Sequence, residues 1–152
     1  MRREYKFSRS LGMLSGQISK GLGKNLQKHF DKNDIDLDPI SWSIISFLKK
    51  HPKSTQQDIV KFLWIDKVKV KRVIDKLEAA GLVKRDIQQE DKRFNIVKLT
   101  DEGKSLFDKV VTFAEDTLTK AFDGFSEGEE KQLLDYLIRI KKNLEMNTGN
   151  LN

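Results

Sequence analysis

Apolar residues recur at steps of three and four along most of the chain, the spacing of one buried face on an α-helix. Four glycines interrupt the first such stretch, which covers 5–30, and each costs roughly 1 kcal/mol relative to alanine in a helix interior. This predicted helix therefore depends on packing for its stability. Its apolar stripe consists of Phe7, Leu11, Leu14, Ile18, Leu22, Leu26 and Phe30.

Three shorter helices are predicted next, each from the residues at its start. Asp38 and Pro39 mark the second helix, since aspartate is a favoured N-cap and proline fits the first helical position. Ser54 and Gln57 have the spacing of a capping box and predict the start of the third helix. Asp66 predicts the N-cap of the fourth. This fourth helix is expected to bury Val70, Val73, Ile74 and Leu77 and to stop at Gly81.

Two runs of β-forming residues, 82–87 and 94–99, flank the charged segment QQEDKR and predict a β-hairpin. Thr100 then predicts the cap of a fifth helix, whose first turn carries the acidic residues that a helix N-terminus favours. Ser126 and Glu129 form a second capping box and predict the start of a last helix.

The fifth helix has two apolar rows, which indicates burial on two sides. The first and last helices are also more apolar than the surface of a small monomer requires. Pairing with a second copy of the chain through those two helices would cover them, and an internal bundle core is the alternative. The rows are Leu106, Val110 and Phe113, and Phe107, Val111, Ala114, Leu118 and Phe122.

The segment STQQDIVKFLWIDKVKVKRVIDKLEAAGL predicts a helix, a short turn and a second helix, a motif whose second helix enters the DNA major groove. Trp64, in the turn, is interpreted as packing between the two helices. From Lys67 to Arg72 there are four basic residues and no acidic one. An exposed lysine-rich helix face is often only solvated, and by itself it is a weak sign of DNA binding. The charged hairpin that follows directly makes DNA binding a stronger prediction. The predicted DNA contacts are Lys67, Val68, Lys69, Lys71 and Arg72 in the second helix, with Ser54, Thr55, Gln56 and Lys76 on the DNA backbone.

The hairpin tip is longer and more charged than closure of two strands requires, because hairpin loops usually take two to five residues, often with Gly or Asn. Arg93 is long enough to enter a minor groove. Asp91 is expected to orient that guanidinium through a hydrogen-bonded pair, and a solvent-exposed ion pair of little effect is the alternative. The predicted wing site therefore consists of Lys92 and Arg93, which contact DNA, and Asp91, which orients Arg93 and does not itself touch the anionic DNA.

Composition narrows the class of protein. The 152 residues give room for one domain, or for a small domain plus elements that a partner covers. No apolar run approaches the roughly 18 residues of a bilayer span, and no secretion signal is recognisable. There is no cysteine, so we expect a cytoplasmic protein without a membrane partner. The net charge is +6, and a positive charge that is concentrated on one surface favours a nucleic-acid partner.

Catalysis is not expected. The chain has two histidines, no cysteine and no glycine-rich phosphate loop, so a catalytic centre, a metal site or a cofactor site is hard to assemble. A winged helix that binds protein instead of DNA is the more serious alternative. It predicts a neutral or acidic face on the second helix of the motif, whereas this face is basic.

The segment GLVKRDIQQEDKRFNIVKLTDEG resembles the wing of the MarR family of bacterial winged-helix regulators, whose pattern is G-L-V-x-R, D-x-R and V-x-L-T-x-x-G. The likeness extends from the long first helix to the segment FSEGEEKQLLDYL. Val68, Lys69 and Lys71 depart from the family, which usually has small hydroxyl or glycine residues there, so base preference cannot be carried over. The matching residues are Gly81, Leu82, Val83, Arg85, Asp91, Arg93, Val97, Leu99, Thr100 and Gly103.

This resemblance implies a mainly α fold with a small β-hairpin wing. Residues 38–99 would form a winged helix-turn-helix lobe, 1–37 and 100–147 a helical dimerisation region, and 148–152 a disordered tail. It further implies a homodimeric transcriptional regulator, most simply a repressor, on a pseudo-palindromic operator in double-stranded DNA. A small aromatic or acidic effector would bind between the lobe and the dimer helices, and a constitutive regulator without effector is the alternative. The predicted cleft residues are Met13, Gln17 and Trp42.

Overall fold

The computed structural model describes residues 6–87 and 95–148. The chain divides into two compact units, one up to Thr117 and one from Leu118 onward. None of the helices in the described ranges is both long enough and apolar enough to cross a membrane. The elements are a 3₁₀ turn (Phe7–Arg9), α1 (Leu11–Lys32), α2 (Pro39–Lys50), β1 (Ser54–Thr55), α3 (Gln56–Leu63), α4 (Lys67–Ala79), β2 (Val83–Ile87), β3 (Asn95–Leu99), α5 (Asp101–Ala121) and α6 (Glu127–Thr148).

The first helix differs from the prediction of one continuous helix over 5–30. It begins after Ser10, whose extended backbone ends the preceding 3₁₀ turn and whose hydroxyl accepts a hydrogen bond from the Met13 N–H at 3.3 Å. The apolar stripe runs through this cap without interruption, so the spacing alone does not reveal the break. Within α1 only Leu26 and Phe30 are buried.

Three predicted helix starts are confirmed by their hydrogen bonds. The Asp38 carboxylate accepts from two N–H groups in the first turn of α2, at 3.0 and 2.9 Å. The Thr100 hydroxyl accepts from the Gly103 N–H at 3.0 Å at the start of α5. Ser126 and Glu129 form the predicted reciprocal pair before α6, with 2.8 Å from the Ser126 N–H to the Glu129 carboxylate.

The predicted capping box at Ser54 and Gln57 is wrong by one residue. Thr55 is the N-cap of α3: its hydroxyl accepts from the Asp58 N–H at 3.2 Å, and the Asp58 carboxylate accepts from the Thr55 N–H at 2.8 Å. Ser54 belongs to β1, opposite Val97 of β3. A cap at Ser54 with Gln57 and a cap at Thr55 with Asp58 both fit the local sequence pattern. The pairing of Ser54 with β3 selects the cap at Thr55, and the local sequence does not encode this long-range pairing.

The sheet has three antiparallel strands in the order β1-β3-β2. The register of the hairpin runs from Val83 opposite Leu99 to Ile87 opposite Asn95, so the two predicted strands are confirmed to within one residue. β1 was not predicted because two residues carry no recognisable alternation. The hairpin tip, 88–94, lies outside the described residues.

Two glycines join α4, the hairpin and α5. Gly81 has φ +73° and follows α4, where the Leu82 N–H donates to the Leu77 carbonyl at 2.9 Å, so it is the predicted C′ residue. At Gly103 a Cβ atom would lie 2.1 Å from the Leu82 carbonyl oxygen. Only glycine therefore allows the first turn of α5 to pack this closely on the start of the hairpin.

The core of the first unit lies among α1 to α5 and the sheet. It contains all four residues predicted to be buried on α4. Both apolar rows of α5 contribute: Phe107 stacks on Trp42 with ring centroids 5.3 Å apart, and Phe113 stacks on His29 at 5.4 Å. The largest fully buried side chains are Phe30, Ile44, Ile45, Leu48, Ile59, Ile74 and Leu77.

The second unit consists of the end of α5 and α6. The rings of Phe122 and Phe125 meet edge to face across the connection between these helices. Of the predicted tail 148–152, Thr148 is the last residue of α6 and the other four lie outside the described residues. The apolar side chains of α6 are largely exposed, among them Leu133, Leu134, Leu137, Ile138 and Leu144.

We expect Thr55→Ala to lower the free energy of unfolding by about 1 kcal/mol, because it removes the side-chain half of the α3 capping box. Gln57→Ala is the matched control and should change it by less than about 0.5 kcal/mol, since Gln57 is exposed and does not cap. Urea denaturation of the three proteins at equal concentration measures both. A larger loss in the Gln57 variant than in the Thr55 variant would contradict this assignment.

Candidate nucleic-acid interface

α3 and α4 are joined by a tight turn over 64–66 and form a helix-turn-helix. Trp64 has left-handed backbone angles (φ 55°), and its N–H still donates to the Val60 carbonyl at 3.0 Å. Asp66 caps α4 by accepting from the Lys69 N–H at 2.8 Å, as predicted. The interpretation of Trp64 as packing between the helices is wrong: the left-handed turn leaves its side chain 54% exposed.

The buried row of α4 determines which of its side chains face outward. Val70, Val73, Ile74 and Leu77 are all at most 8% exposed. At about 100° per residue, the side of the helix opposite this row carries Val68, Lys71 and Arg72. The cations at 67, 69, 71 and 72 are all exposed, so the structure places the predicted recognition residues on a basic outer surface.

Asp75 is the one acidic residue in the middle of this outer surface, and two cations compensate it. Its carboxylate accepts from the Lys71 ammonium at 2.7 Å and from the Arg85 guanidinium at 2.6 Å. These hydrogen bonds, that of Lys71 first, lower the pKa of the Asp75 carboxyl below its ordinary value of 3.8. Asp75 therefore stays ionised near neutral pH and offsets part of the positive charge of its two partners.

Arg85 connects the hairpin to α4. Its side chain is only 20% exposed and donates to Asp75 and also to Glu78, both on α4. On the same hairpin, Lys98 donates to Asp86 and lowers the pKa of that carboxyl. The sequence pattern includes Arg85 among the family matches but assigns it no role, because its pairing partners lie 7 and 10 residues earlier and only the fold brings them together.

The residues predicted to contact the DNA backbone occupy different environments. Ser54 is buried, and its hydroxyl donates to the His51 carbonyl at 2.8 Å. Thr55 and Gln56 are half-buried at the start of α3, where the Thr55 hydroxyl donates to Asp58 at 2.7 Å. Lys76 is exposed and pairs with Asp36 at 3.0 Å. The predicted wing residues Asp91, Lys92 and Arg93 lie outside the described residues.

A cavity of about 590 Å³ lies between α1, the start of α2 and α4. Four cations line it, two from α1 and two from the outer side of α4, and Asp38, which caps α2, also lines it. The surface of this cavity is mainly apolar, and the four cations could pair with an acidic group of a ligand. Sequence reasoning missed this cavity, because it is formed by helices distant in sequence. Its cationic lining residues are Lys20, Lys24, Lys69 and Arg72.

The predicted effector residues lie elsewhere. Met13 is half-buried and Gln17 is exposed on the first turns of α1, and Trp42 is half-buried under Phe107. None of the three lines the cavity described above. Among the described residues, no group of three or more histidine, aspartate or glutamate side chains could hold a metal ion.

Comparison with known proteins identifies this arrangement. A family model described as MarR family matches residues 35–93, which begin before α2 and end in the hairpin. The HTH-type transcriptional repressor NicR of Pseudomonas putida is 27% identical over 138 residues, covering 88% of this chain and 87% of that protein. Residues 35–93 thus match the MarR family, and over most of its length the chain is similar to an HTH-type transcriptional repressor.

Solved structures of MarR-like proteins share the fold. BpsR of Bordetella bronchiseptica, studied for the regulation of its DNA binding by 6-hydroxynicotinic acid, superposes with a TM-score of 0.80 at 25% identity, over 91% of this chain and 98% of that one. A putative MarR family regulator of Listeria monocytogenes, in complex with 26mer DNA, superposes with a TM-score of 0.83 at 22% identity, over 91% of both chains. The prediction of a mainly α fold with a hairpin wing is thereby confirmed.

The relatives also indicate the broad class of activity. The relatives are transcriptional regulators and not enzymes, which confirms the prediction from composition. The start of α4 departs from the MarR pattern that the sequence resembles, because Val68, Lys69 and Lys71 stand where small residues are expected.

Proposed function

We propose that this protein is a homodimeric repressor that binds a pseudo-palindromic operator in double-stranded DNA. The observation that carries the proposal is the outer side of α4, where four exposed cations surround one acidic residue that is already paired. NicR is named a repressor, and the Listeria regulator was crystallised with DNA. Both support the same role here.

In this proposal the first turns of α4 enter the major groove. Lys67, Lys69, Lys71 and Arg72 contact phosphates and base edges there, because the N-terminal part of a recognition helix is the part that reaches the bases. Arg93 reaches the adjacent minor groove, with Asp91 and Lys92 beside it. Thr55, Gln56 and Lys76 contact the DNA backbone. Ser54 is left out of this set because its buried hydroxyl already donates to a carbonyl.

Dimerisation would involve the helical regions 1–37 and 100–147. Apolar side chains that a folded monomer would be expected to bury are exposed on both α1 and α6. A second copy that pairs through these helices covers them by a favourable burial of apolar surface. On α1 and the preceding turn these side chains are Phe7, Leu11, Leu14 and Ile18, with exposures of 41 to 67%.

Salt-dependent binding tests the proposal. Selection from random duplexes should recover an inverted repeat with half-sites about one helical turn apart, roughly 34 Å. If roughly 6–10 phosphates are neutralised, affinity should fall by about 10³- to 10⁵-fold between 50 and 200 mM salt. Fluorescence anisotropy with the selected duplex measures this fall.

Lys69→Ala should reduce the slope of log affinity against log salt by about one for each phosphate that the variant no longer neutralises. Lys109→Ala, which removes an exposed lysine of α5, is the matched control and should leave the slope unchanged. A chain that binds no duplex at 50 mM salt would contradict the proposal and would favour a protein-binding winged helix.

The cavity beside α4 suggests how an effector would act. BpsR responds to 6-hydroxynicotinic acid, a small aromatic acid. An anion in the cavity of this chain would contact Lys69 and Arg72, which are also proposed to contact DNA. A ligand shifts an equilibrium only if its affinity for the two states differs. An anion that competes with DNA for Lys69 and Arg72 would bind the DNA-free protein more tightly than the DNA complex. The cleft at Met13, Gln17 and Trp42 is the alternative location.

We expect 6-hydroxynicotinic acid or a related small aromatic acid to raise the melting temperature and to release the selected duplex. Lys24→Met should abolish both effects without weakening DNA binding in the absence of acid, because Lys24 lines the cavity from α1. Trp42→Ala is the matched variant for the alternative cleft. Loss of the response only in the Trp42 variant would place the effector there, and no response to any acid would indicate a constitutive regulator.

A further inference from the structure

Val68 is the most exposed large hydrophobic side chain among the described residues, at 78%. It is the second residue of α4. A single exposed apolar residue is ordinary on a protein surface. The position of this one is not ordinary, because cations at 67, 69, 71 and 72 flank it along the chain.

The buried row of α4 directs Val68 away from the protein. At about 100° per residue, Val68 lies almost opposite the mean direction of Val70, Val73, Ile74 and Leu77, all of which are buried. Arg72 is one turn further along and faces the same way. A surface that packs against the outer side of α4 therefore contacts Val68.

Neither packing nor helix propensity explains a valine at this position. Its side chain is exposed, so it contributes little to the core. A β-branched residue is also less favourable in a helix than alanine, lysine or glutamate. The side chain does complement one kind of partner, namely an apolar group set within an anionic surface.

The DNA major groove offers such a group. Thymine carries its C5-methyl group into this groove, where apolar side chains contact it, and the surrounding phosphates match the flanking cations. We propose that Val68 contacts the C5-methyl group of one thymine in each half-site and so makes thymine preferred at that position. This inference rests on the proposed function, because it requires α4 to lie in the major groove.

Replacing thymine by uracil tests the contact, since it removes the methyl group and leaves the pairing edge intact. Each thymine in one half-site of the selected duplex is replaced in turn, and affinity is measured by anisotropy. At one position uracil should weaken wild-type binding about fourfold, the equivalent of about 0.8 kcal/mol for one buried methyl group. In Val68→Ala the same replacement should change affinity by less than about 1.5-fold, since the partner of the methyl group is gone.

Two controls separate this contact from general effects. Lys69→Ala should weaken binding to both duplexes alike and keep the fourfold ratio between thymine and uracil, because a phosphate contact does not read the methyl group. Val68→Ala should melt at or above the wild-type temperature, because alanine is the better helix former. A weaker affinity in this variant then reports the missing valine side chain at the DNA surface and not a defect in folding.

The outcomes distinguish the two levels of the proposal. If duplexes bind but no thymine shows a uracil penalty that depends on Val68, the methyl contact is wrong and the repressor proposal stands. If Val68→Ala weakens binding equally with thymine and uracil, Val68 contacts the sugar-phosphate backbone, and the methyl contact is again wrong. If no duplex binds at all, the proposed function itself fails.

Discussion

Burial of one side of α4 is the interaction on which the rest of the structure depends. Val70, Val73, Ile74 and Leu77 are nearly inaccessible to solvent and belong to the single core of the first unit. Burying such a side chain stabilises a protein by roughly 1.5–3 kcal/mol, whereas an exposed ion pair contributes about 0–1 kcal/mol. The apolar row therefore decides how α4 is rotated, and the cations on the other side follow from that rotation. The charge of the outer surface is a consequence of the core.

The hairpin is held to this helix by a second, weaker set of contacts. Arg85 of β2 donates to two carboxylates of α4, and Gly103 allows α5 to pack against the start of the hairpin. Because these contacts lie at the base of the hairpin, they orient it relative to α4. In the proposed complex, that orientation matters because α4 and the hairpin would contact neighbouring grooves of one duplex. The ionised Asp75 at the centre of this network also neutralises part of the positive charge of Lys71 in the absence of DNA.

Local signals predicted much of this fold. The caps at Asp38, Asp66, Thr100 and Ser126, the buried row of α4 and the two hairpin strands could all be predicted, because each depends on a few neighbouring residues. The errors came where a distant contact chose between two local solutions. Pairing of Ser54 with β3 moved the α3 cap by one residue. The outward position of Trp64 and the roles of Arg85 and of the cavity likewise depend on how elements far apart in sequence meet.

The central claim is that the outer side of α4 faces DNA, and lysine footprinting tests it most directly. The protein is acetylated briefly with and without the selected duplex, and the modification of each lysine is read by mass spectrometry. We predict strong protection of Lys67, Lys69 and Lys71 and unchanged reactivity of Lys28 and Lys109, which are exposed on α1 and α5. Equal protection of all five lysines, or reactivity of Lys69 and Lys71 that DNA does not change, would contradict the claim.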